Sequence, residues 1–285
     1  MISRLEERLA PQVEEQAAPQ GGSLRLVGDE AVWELARQEN LEPAEVMAQC
    51  LELGIWPRRL VKNRGVLSAG DQARLLRSRA AVIGAGGLGG MAILLLARVG
   101  LGALTVCDGD RFDETNLNRQ FLSRTDRLGQ AKAEVAAREV SAVNPACRVR
   151  AVVDWAGEEN LPAILEGAQV ALDCLDNLAA RFVLEGACRR LGVPYVHGAI
   201  AGWEGFVMTV APGEPGLEGM YGPAGGRQGP GAEKLLGVPT ITPAICAAFQ
   251  ALEAVRLLLG KRGLGPGRVM HLDLEALALE SFSLA

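Results

Sequence analysis

The chain has 285 residues, with 49% hydrophobic and 4% aromatic residues, 35 glycines and a formal net charge of −5. This length allows one large domain with an appendage, and the acidic balance argues against a nucleic-acid partner or an anionic membrane surface. The first residues lack the apolar segment of a secretory signal, and the most apolar run, residues 91–101, is too short to span a bilayer. We therefore expect a cytoplasmic protein without a membrane partner.

Residues 1–57 are predicted to form a helical extension. Residues 1–30 are polar and interrupted by proline and glycine, which allows a short helix and a ribbon at most. Apolar spacing predicts two amphipathic helices within residues 29–53, with Pro43 in the first turn of the second. Beyond the extension, Ser68 is predicted to cap a helix that runs through Leu76, with Asp71 in its first turn.

From residue 80 onwards, strands and helices alternate. Strands are predicted at 80–83, 103–107, 148–153, 170–174 and 194–198, and helices at 87–99, 130–143, 158–165 and 181–190. This order predicts an α/β fold, a doubly wound, Rossmann-like and mostly parallel sheet with helices on both faces. Towards the C-terminus we expect an antiparallel strand at 202–210, a buried helix at 244–259 and strands at 269–274 and 277–282. The glycine- and proline-rich segment 211–240 has no periodicity, which is typical of a functional loop.

The first of these strands leads through a glycine-rich turn into an apolar helix. Such a turn lets the backbone approach a nucleotide phosphate, and the helix N-terminus supplies free N–H donors. The glycines are Gly84, Gly86, Gly87 and Gly89. Asp108 ends the next strand at about the 20-residue spacing of a ribose-binding acid. Because NAD and ATP both carry this ribose, an NAD-dependent oxidoreductase remains an alternative at this point.

Polar and cationic residues that follow the second strand favour a triphosphate. They are Asn116, Arg119, Gln120 and Lys132. An NAD site does not need such a set, whereas charge that shifts during attack at phosphorus is stabilised by arginine and lysine. Taken singly, Arg119 is equally consistent with a surface ion pair and Lys132 with a solvated helix residue. As a set beside a glycine loop, they predict ATP as the ligand.

Two carboxylates bracket the end of the buried strand 170–172. Asp176 would face the crevice that holds the phosphates, and its oxygen ligands suit Mg²⁺. Asp173 is interpreted as a turn or cap residue, and Asn177 as a cap of the next helix or a substrate contact.

Together these motifs resemble the HesA/MoeB/ThiF family, the bacterial relatives of ubiquitin-activating enzymes. The resemblance covers roughly residues 58–284, so we predict one adenylyltransferase domain at 58–285 after the extension 1–57. It rests on Gly84-x-Gly86-Gly87-Leu88-Gly89, Asp108, Asn116-Leu117-x-Arg119-Gln120, Gly129-x-x-Lys132, Asn144-Pro145 and Asp173-Cys174-x-Asp176-Asn177-x-x-x-Arg181.

The resemblance implies a homodimeric enzyme that uses ATP and Mg²⁺. It would adenylate the C-terminal glycine of a small ubiquitin-like sulfur-carrier protein that ends in Gly-Gly, release pyrophosphate and serve the biosynthesis of sulfur-containing cofactors. By position, the glycines would cradle the nucleotide and Asp108 would bind the ribose. Asn116, Arg119, Gln120 and Lys132 would grip the phosphates, Arg119 and Lys132 would stabilise the transition state, and Asp176 would bind Mg²⁺.

The sequence departs from the family pattern at several positions. Members commonly bind zinc through two Cys-x-x-Cys pairs, but the first pair falls on residues 216–219 (Gly-Leu-Glu-Gly) and none of the six cysteines forms such a pair, so no zinc site is expected. A loop cysteine of some members falls near Glu233, and the nearby Cys246 lies in an apolar helix pattern. The other cysteines are also expected to be mostly buried free thiols.

A further departure concerns an arginine that, in the family, reaches the partner subunit's ATP. Its position is Lys62 here, which would keep the charge but not the planar fork, and Arg59 or Arg64 would be substitutes. The missing zinc pairs and loop cysteine leave a non-catalytic, ATP-binding scaffold as an alternative to the enzyme.

Overall fold

A computed structural model describes residues 7–17, 21–214, 216–224 and 232–284. Its strands are β1 Val13–Ala17, β2 Ser23–Val27, β3 Ile55–Pro57, β4 Arg79–Ile83, β5 Ala103–Cys107, β6 Arg148–Val152, β7 Val170–Asp173, β8 Tyr195–Ala201, β9 Glu204–Val210, β10 Arg268–Asp273 and β11 Ala278–Ser283. Its helices are α1 Asp29–Glu39, α2 Pro43–Glu52, α3 Ala69–Leu76, α4 Gly87–Val99, α5 Lys132–Val143, α6 Leu161–Ile164, α7 Leu178–Leu191, α8 Leu217–Tyr221, α9 Ala232–Leu236 and α10 Ile241–Leu258.

The main sheet has the strand order β11-β10-β9-β8-β7-β4-β5-β6. Strands β4 to β8 pair in parallel, and β8 to β11 pair antiparallel. The chain winds outwards from β4 through β5 to β6 and then returns to β7 on the other side of β4. The two halves of the winding therefore diverge between β4 and β7, where ligands bind in open α/β sheets. The predicted fold class is confirmed.

Both faces of the main sheet are covered by helices, as the near-continuous apolar strands require. On one face, Val82 and Leu172 pack with residues of α4, α5 and α10. On the other face, Ala81 and Ala171 pack with residues of α6 and α7. Helix α10 has the length and composition of a membrane span, with a mean hydropathy of 1.4, but half of it is buried inside the protein. It packs as a core helix, and the cytoplasmic location stays a prediction.

The N-terminal extension contains a small sheet in addition to the two expected helices. Strand β1 pairs antiparallel with β2, and β2 pairs parallel with β3. The antiparallel pair β1–β2 corresponds to the ribbon that residues 1–30 were expected to allow, whereas β3 was not foreseen, because it has three residues and is too short to produce a periodic pattern. An apolar cluster joins Val32 and Met47 of the extension to Leu60 and Leu76 beyond it. The boundary at residue 57 stays a prediction.

The helix predicted after Ser68 is confirmed together with its cap. The Ser68 hydroxyl oxygen accepts a hydrogen bond from the Asp71 N–H at 3.0 Å, and an Asp71 carboxylate oxygen accepts one from the Ser68 N–H at 3.2 Å. This reciprocal capping box satisfies two backbone donors and starts α3 at Ala69.

Candidate active site

A cavity of about 460 Å³ opens at the carboxyl ends of β4, β5 and β7. Glycines from the turn after β4, acids from the ends of β5 and β7, and cations from the following segments share its wall. The residues expected at the site that line it are Gly84, Gly86, Gly87, Asp108, Arg119, Gln120, Lys132 and Asp176. The parallel sheet thus brings together three motifs that are far apart in the sequence.

The glycines of the turn have two different tasks. Gly84 has a φ of +95°, and a Cβ there would lie 2.5 Å from the carbonyl oxygen of Cys174. Gly89 does not line the cavity, but a Cβ at this position would lie 1.8 Å from the Gly84 carbonyl oxygen. These two glycines permit close packing of β4, α4 and the end of β7. Gly86 and Gly87 form the cavity wall at the start of α4, where free N–H donors suit an anion.

Asp108 connects the end of β5 to the glycine turn. One carboxylate oxygen accepts a hydrogen bond from the Ala85 N–H at 2.7 Å, and the other accepts one from the Asp110 N–H at 2.8 Å. Burial raises the pKa of the Asp108 carboxyl, and these two hydrogen bonds and Lys132 act in the opposite direction. Each oxygen keeps a second lone pair, so the carboxylate can hold the turn and still accept from a ribose hydroxyl.

Both predicted phosphate-binding cations reach the cavity. Lys132 is the first residue of α5, and its Nζ lies 3.0 Å from an oxygen of Asp110, with 7% of its side chain exposed. The Arg119 guanidinium donates to the Thr115 carbonyl at 2.8 Å and to the Asn118 side-chain oxygen at 2.9 Å. Asp110 therefore neutralises Lys132, while the described contacts of the Arg119 side chain are to neutral oxygens of its own loop.

Gln120 and Asp176 complete the polar wall. Among the described residues, the Gln120 side-chain oxygen is buried without a hydrogen-bond partner, so a ligand donor or a rotated amide is required to satisfy it. Asp176 is exposed in the turn after β7. No cluster of three or more potential metal ligands occurs in the described ranges. A single carboxylate nevertheless fits Mg²⁺, which usually completes its coordination with substrate phosphates and water.

Most of the chain, including every residue that lines the cavity, matches the model of a known family. Residues 59–285 match the ThiF family.

The chain belongs to the ThiF family.

Two relatives support this assignment, and a solved structure shares the fold. The SAMP-activating enzyme E1 of Haloferax volcanii is 37% identical over 211 residues, which are 74% of this chain and 78% of the relative. The sulfur carrier protein adenylyltransferase of Thermus thermophilus is 36% identical over 197 residues, covering 66% of this chain and 72% of the relative. The microcin C7 biosynthetic enzyme MccB, solved with N-formylated MccA, superimposes with a TM-score of 0.68 at 19% identity, covering 96% of this chain and 95% of that one; this last likeness concerns the fold.

The predicted family resemblance and enzyme class, an adenylyltransferase, are thereby confirmed. The family does not by itself assign roles to the individual residues of this ThiF-family chain, and these stay predictions.

Besides Gly89, three more residues expected to contact the nucleotide lie outside the cavity wall. Asn116 is buried, and its side-chain oxygen accepts a hydrogen bond from the Asp113 N–H at 3.2 Å. The Asn177 side-chain oxygen accepts one from the Ala180 N–H at 2.8 Å and caps α7, which was one of its two predicted roles. Lys62 is exposed in the turn Arg58–Asn63, and its role toward a partner subunit stays a prediction. Arg59 is held by Asp29 of the extension at 2.9 Å.

The cysteines of the described segments are free thiols, and all but Cys174 are buried. Burial raises the pKa of Cys246 to about 12, and its thiol lies 3.5 Å from the Phe206 carbonyl oxygen. Cys246 is therefore a buried core residue of α10, as its apolar pattern predicted. The alternative cysteine position, Glu233, has a side chain outside the described part of the structure.

Several cavity residues were not recognised as site residues from the sequence. Asp110 follows Asp108 by two positions and pairs with Lys132. Trp155 follows β6, and Arg181 lies in the first turns of α7. The Arg181 guanidinium donates to the Leu175 carbonyl at 2.6 Å. Arg181 was part of the motif that carried the resemblance, but Trp155 lies in a segment without any recognisable motif.

A buried polar network lies below the cavity. Asp173 Oδ2 accepts from the Tyr195 hydroxyl at 2.6 Å and lies 2.7 Å from His197 Nδ1. His197 Nε2 lies 2.9 Å from the Tyr221 hydroxyl, and Arg181 Nε lies 3.8 Å from Asp173 Oδ2. Asp173 is therefore more than the turn residue that was expected, because it joins β7, β8, α7 and α8.

This network makes the pKa values of its members depend on the fold. Burial acts to raise the pKa of the Asp173 carboxyl, but the Arg181 guanidinium and the hydrogen bonds from His197 and Tyr195 outweigh burial and lower it. Burial lowers the pKa of His197, although Asp173 opposes the shift. The folded state thus keeps His197 neutral at a pH where an unfolded histidine gains a proton.

We expect the melting temperature to fall as the pH decreases below about 6.5, the pKa of an unfolded histidine, because the unfolded chain then binds a proton that folded His197 does not. The lowered Asp173 pKa adds a second loss of stability below about pH 3.9, where an unfolded aspartate becomes protonated. In a His197→Gln variant, the melting temperature should fall less between pH 7.5 and pH 5. Thermal denaturation followed by circular dichroism at stepped pH measures this slope, and an unchanged slope in the variant would contradict the assignment.

Proposed function

We propose that this chain adenylates the C-terminal glycine carboxylate of a small ubiquitin-like sulfur-carrier protein that ends in Gly-Gly. The observation that carries this proposal is the convergence of Arg119, Lys132 and Asp176 on one cavity with the glycine turn and Asp108. The names of the two relatives, a SAMP-activating E1 and a sulfur carrier protein adenylyltransferase, support the same class of protein substrate. This adenylation would serve the biosynthesis of sulfur-containing cofactors.

The reaction joins two anions, so charge is its main obstacle. A carboxylate oxygen of the carrier forms a bond to the α-phosphorus of ATP, the bond from this phosphorus to the bridging oxygen of the β-phosphate breaks, and pyrophosphate leaves with the electron pair. The carboxylate is already ionised and needs no general base. Catalysis then consists of positioning and stabilisation of charge, which Arg119 and Lys132 supply. Lys132 would exchange Asp110 for a phosphate oxygen.

Bound Mg²⁺ would supply positive charge to the phosphates. Asp176 is the residue that would hold it, at the end of β7 opposite the glycine turn. The glycine turn and the start of α4 would receive the phosphates through backbone N–H groups. Asp108 would orient the ribose, and its hydrogen bond to Ala85 would keep sugar and phosphate sites in register.

The carrier tail would enter beside residues 232–240. Gly237 and Val238 line the cavity, and the Gly202 N–H donates to the Gly237 carbonyl at 2.8 Å. This segment belongs to the glycine- and proline-rich region 211–240, and it would close over the tail as a clamp. A homodimer in which Lys62 reaches the nucleotide of the other subunit remains part of the proposal.

Exchange of radiolabelled pyrophosphate into ATP tests the proposed reaction. We expect exchange that requires both Mg²⁺ and a ubiquitin-like carrier ending in Gly-Gly. The matched control is the same carrier without its last glycine, which should support no exchange. ATP binding without exchange for any cognate carrier would favour the non-catalytic scaffold, and absence of ATP binding would reject both.

A further inference from the structure

Trp155 lies at the rim of the cavity and has no role in the reaction described above. Its side chain is 67% exposed; a lone exposed apolar side chain needs no explanation by itself, but this one stands at a ligand cavity. It also lines the cavity together with Asp108 and Lys132. An exposed indole beside a polar ligand cavity calls for a physical reason.

The indole packs against the backbone of Gly109 and leaves most of its surface exposed. A Cβ at Gly109 would lie 2.9 Å from Cδ2 and Cε2 and 3.0 Å from Cγ of Trp155, so the glycine backbone packs against the ring. The Trp155 carbonyl accepts from the Asn160 side chain at 2.9 Å, and the Trp155 N–H donates to Asp154 at 2.8 Å. These hydrogen bonds hold the backbone of the turn after β6, which places the exposed indole at the cavity.

The order of the strands indicates which group of the ligand would lie beside the exposed indole. Across the sheet, Asp176 follows β7, the glycine turn follows β4, Asp108 follows β5 and Trp155 follows β6. If the phosphates lie at the glycine turn after β4 and the ribose lies at Asp108 after β5, the base is the next group of the nucleotide and lies at the end of β6. Asp154 and Asp108 beside the indole would repel a phosphate but not a neutral base. We propose that Trp155 stacks on the adenine base and is an affinity-determining residue for ATP; this inference rests on the proposed nucleotide site.

Binding of two probes separates the base from the phosphates. In Trp155→Ala, we expect the Kd for ATP to rise about 5- to 150-fold, the effect of losing one base–aromatic stack. The Kd for inorganic tripolyphosphate, which has no base, should stay unchanged. Trp155→Phe keeps an aromatic face and should retain most of the ATP affinity. Trp203→Ala is the matched control, because Trp203 is also exposed and does not line the cavity.

Intrinsic fluorescence gives an independent measurement in a folded variant. The chain has four tryptophans, and ATP should quench the wild-type emission but not that of Trp155→Phe at a concentration that saturates it. Equal ATP affinity of wild type and Trp155→Ala, or full quenching in Trp155→Phe, would overturn the stacking. Failure of the wild type to bind ATP would instead overturn the proposed function itself.

Discussion

Arg119→Ala should reduce carrier-dependent ATP–pyrophosphate exchange by about 10²- to 10³-fold, the loss typical of removing one donor that stabilises transition-state charge. The described hydrogen bonds of the Arg119 guanidinium are to neutral oxygens of its own loop, so among the described residues no carboxylate forms a direct ion pair with it. Binding of ATP should weaken far less than the rate, because the interaction strengthens as charge moves to the leaving pyrophosphate. Exchange kinetics and ATP titration of the same variant measure the two effects.

The control for this variant lies on the same loop. Arg124 is largely exposed and pairs with Asp126 at 3.0 Å, outside the cavity wall. Arg124→Ala should therefore keep wild-type exchange. If Arg119→Ala and Arg124→Ala behaved alike, Arg119 would be an ordinary surface residue.

Asp176→Asn should lower the exchange rate by about 10²- to 10⁴-fold, since several kcal/mol of charge stabilisation depend on a correctly held metal ion. The amide keeps the size of the side chain but loses the negative charge that Mg²⁺ prefers. The Mg²⁺ concentration for half-maximal exchange should rise in this variant, which a purely structural role would not explain. Titration of exchange with Mg²⁺ checks both statements.

Asp126→Asn provides the comparison for this charge change, because Asp126 is exposed and does not line the cavity. It should alter neither the rate nor the Mg²⁺ requirement. An Asp176→Asn enzyme with the wild-type Mg²⁺ profile would exclude Asp176 as the metal ligand.

Local signals in the sequence predicted much of the fold. Ser68 and Asp71 form their capping box within four residues, so the start of α3 needed no tertiary information. Short apolar runs separated by glycine-containing turns likewise predicted β4, α4 and β5. The helix expected at 158–165 is limited to Leu161–Ile164, and β3 was not foreseen, since short elements depend on neighbours that a periodic pattern does not include.

The sequence by itself determined the family, the order of strands and helices, and the glycine turn, because these features are encoded by residues close together in the chain. Only the tertiary structure decided which motif residues share the cavity. Asn116 and Asn177 belong to the same motifs as Arg119 and Asp176, yet their side chains bond to backbone groups of nearby turns. The position of Trp155 beside Asp108 also depended on the pairing of β5 with β6. Parallel pairing aligns the carboxyl ends of distant strands, and this alignment is set by packing across the whole sheet.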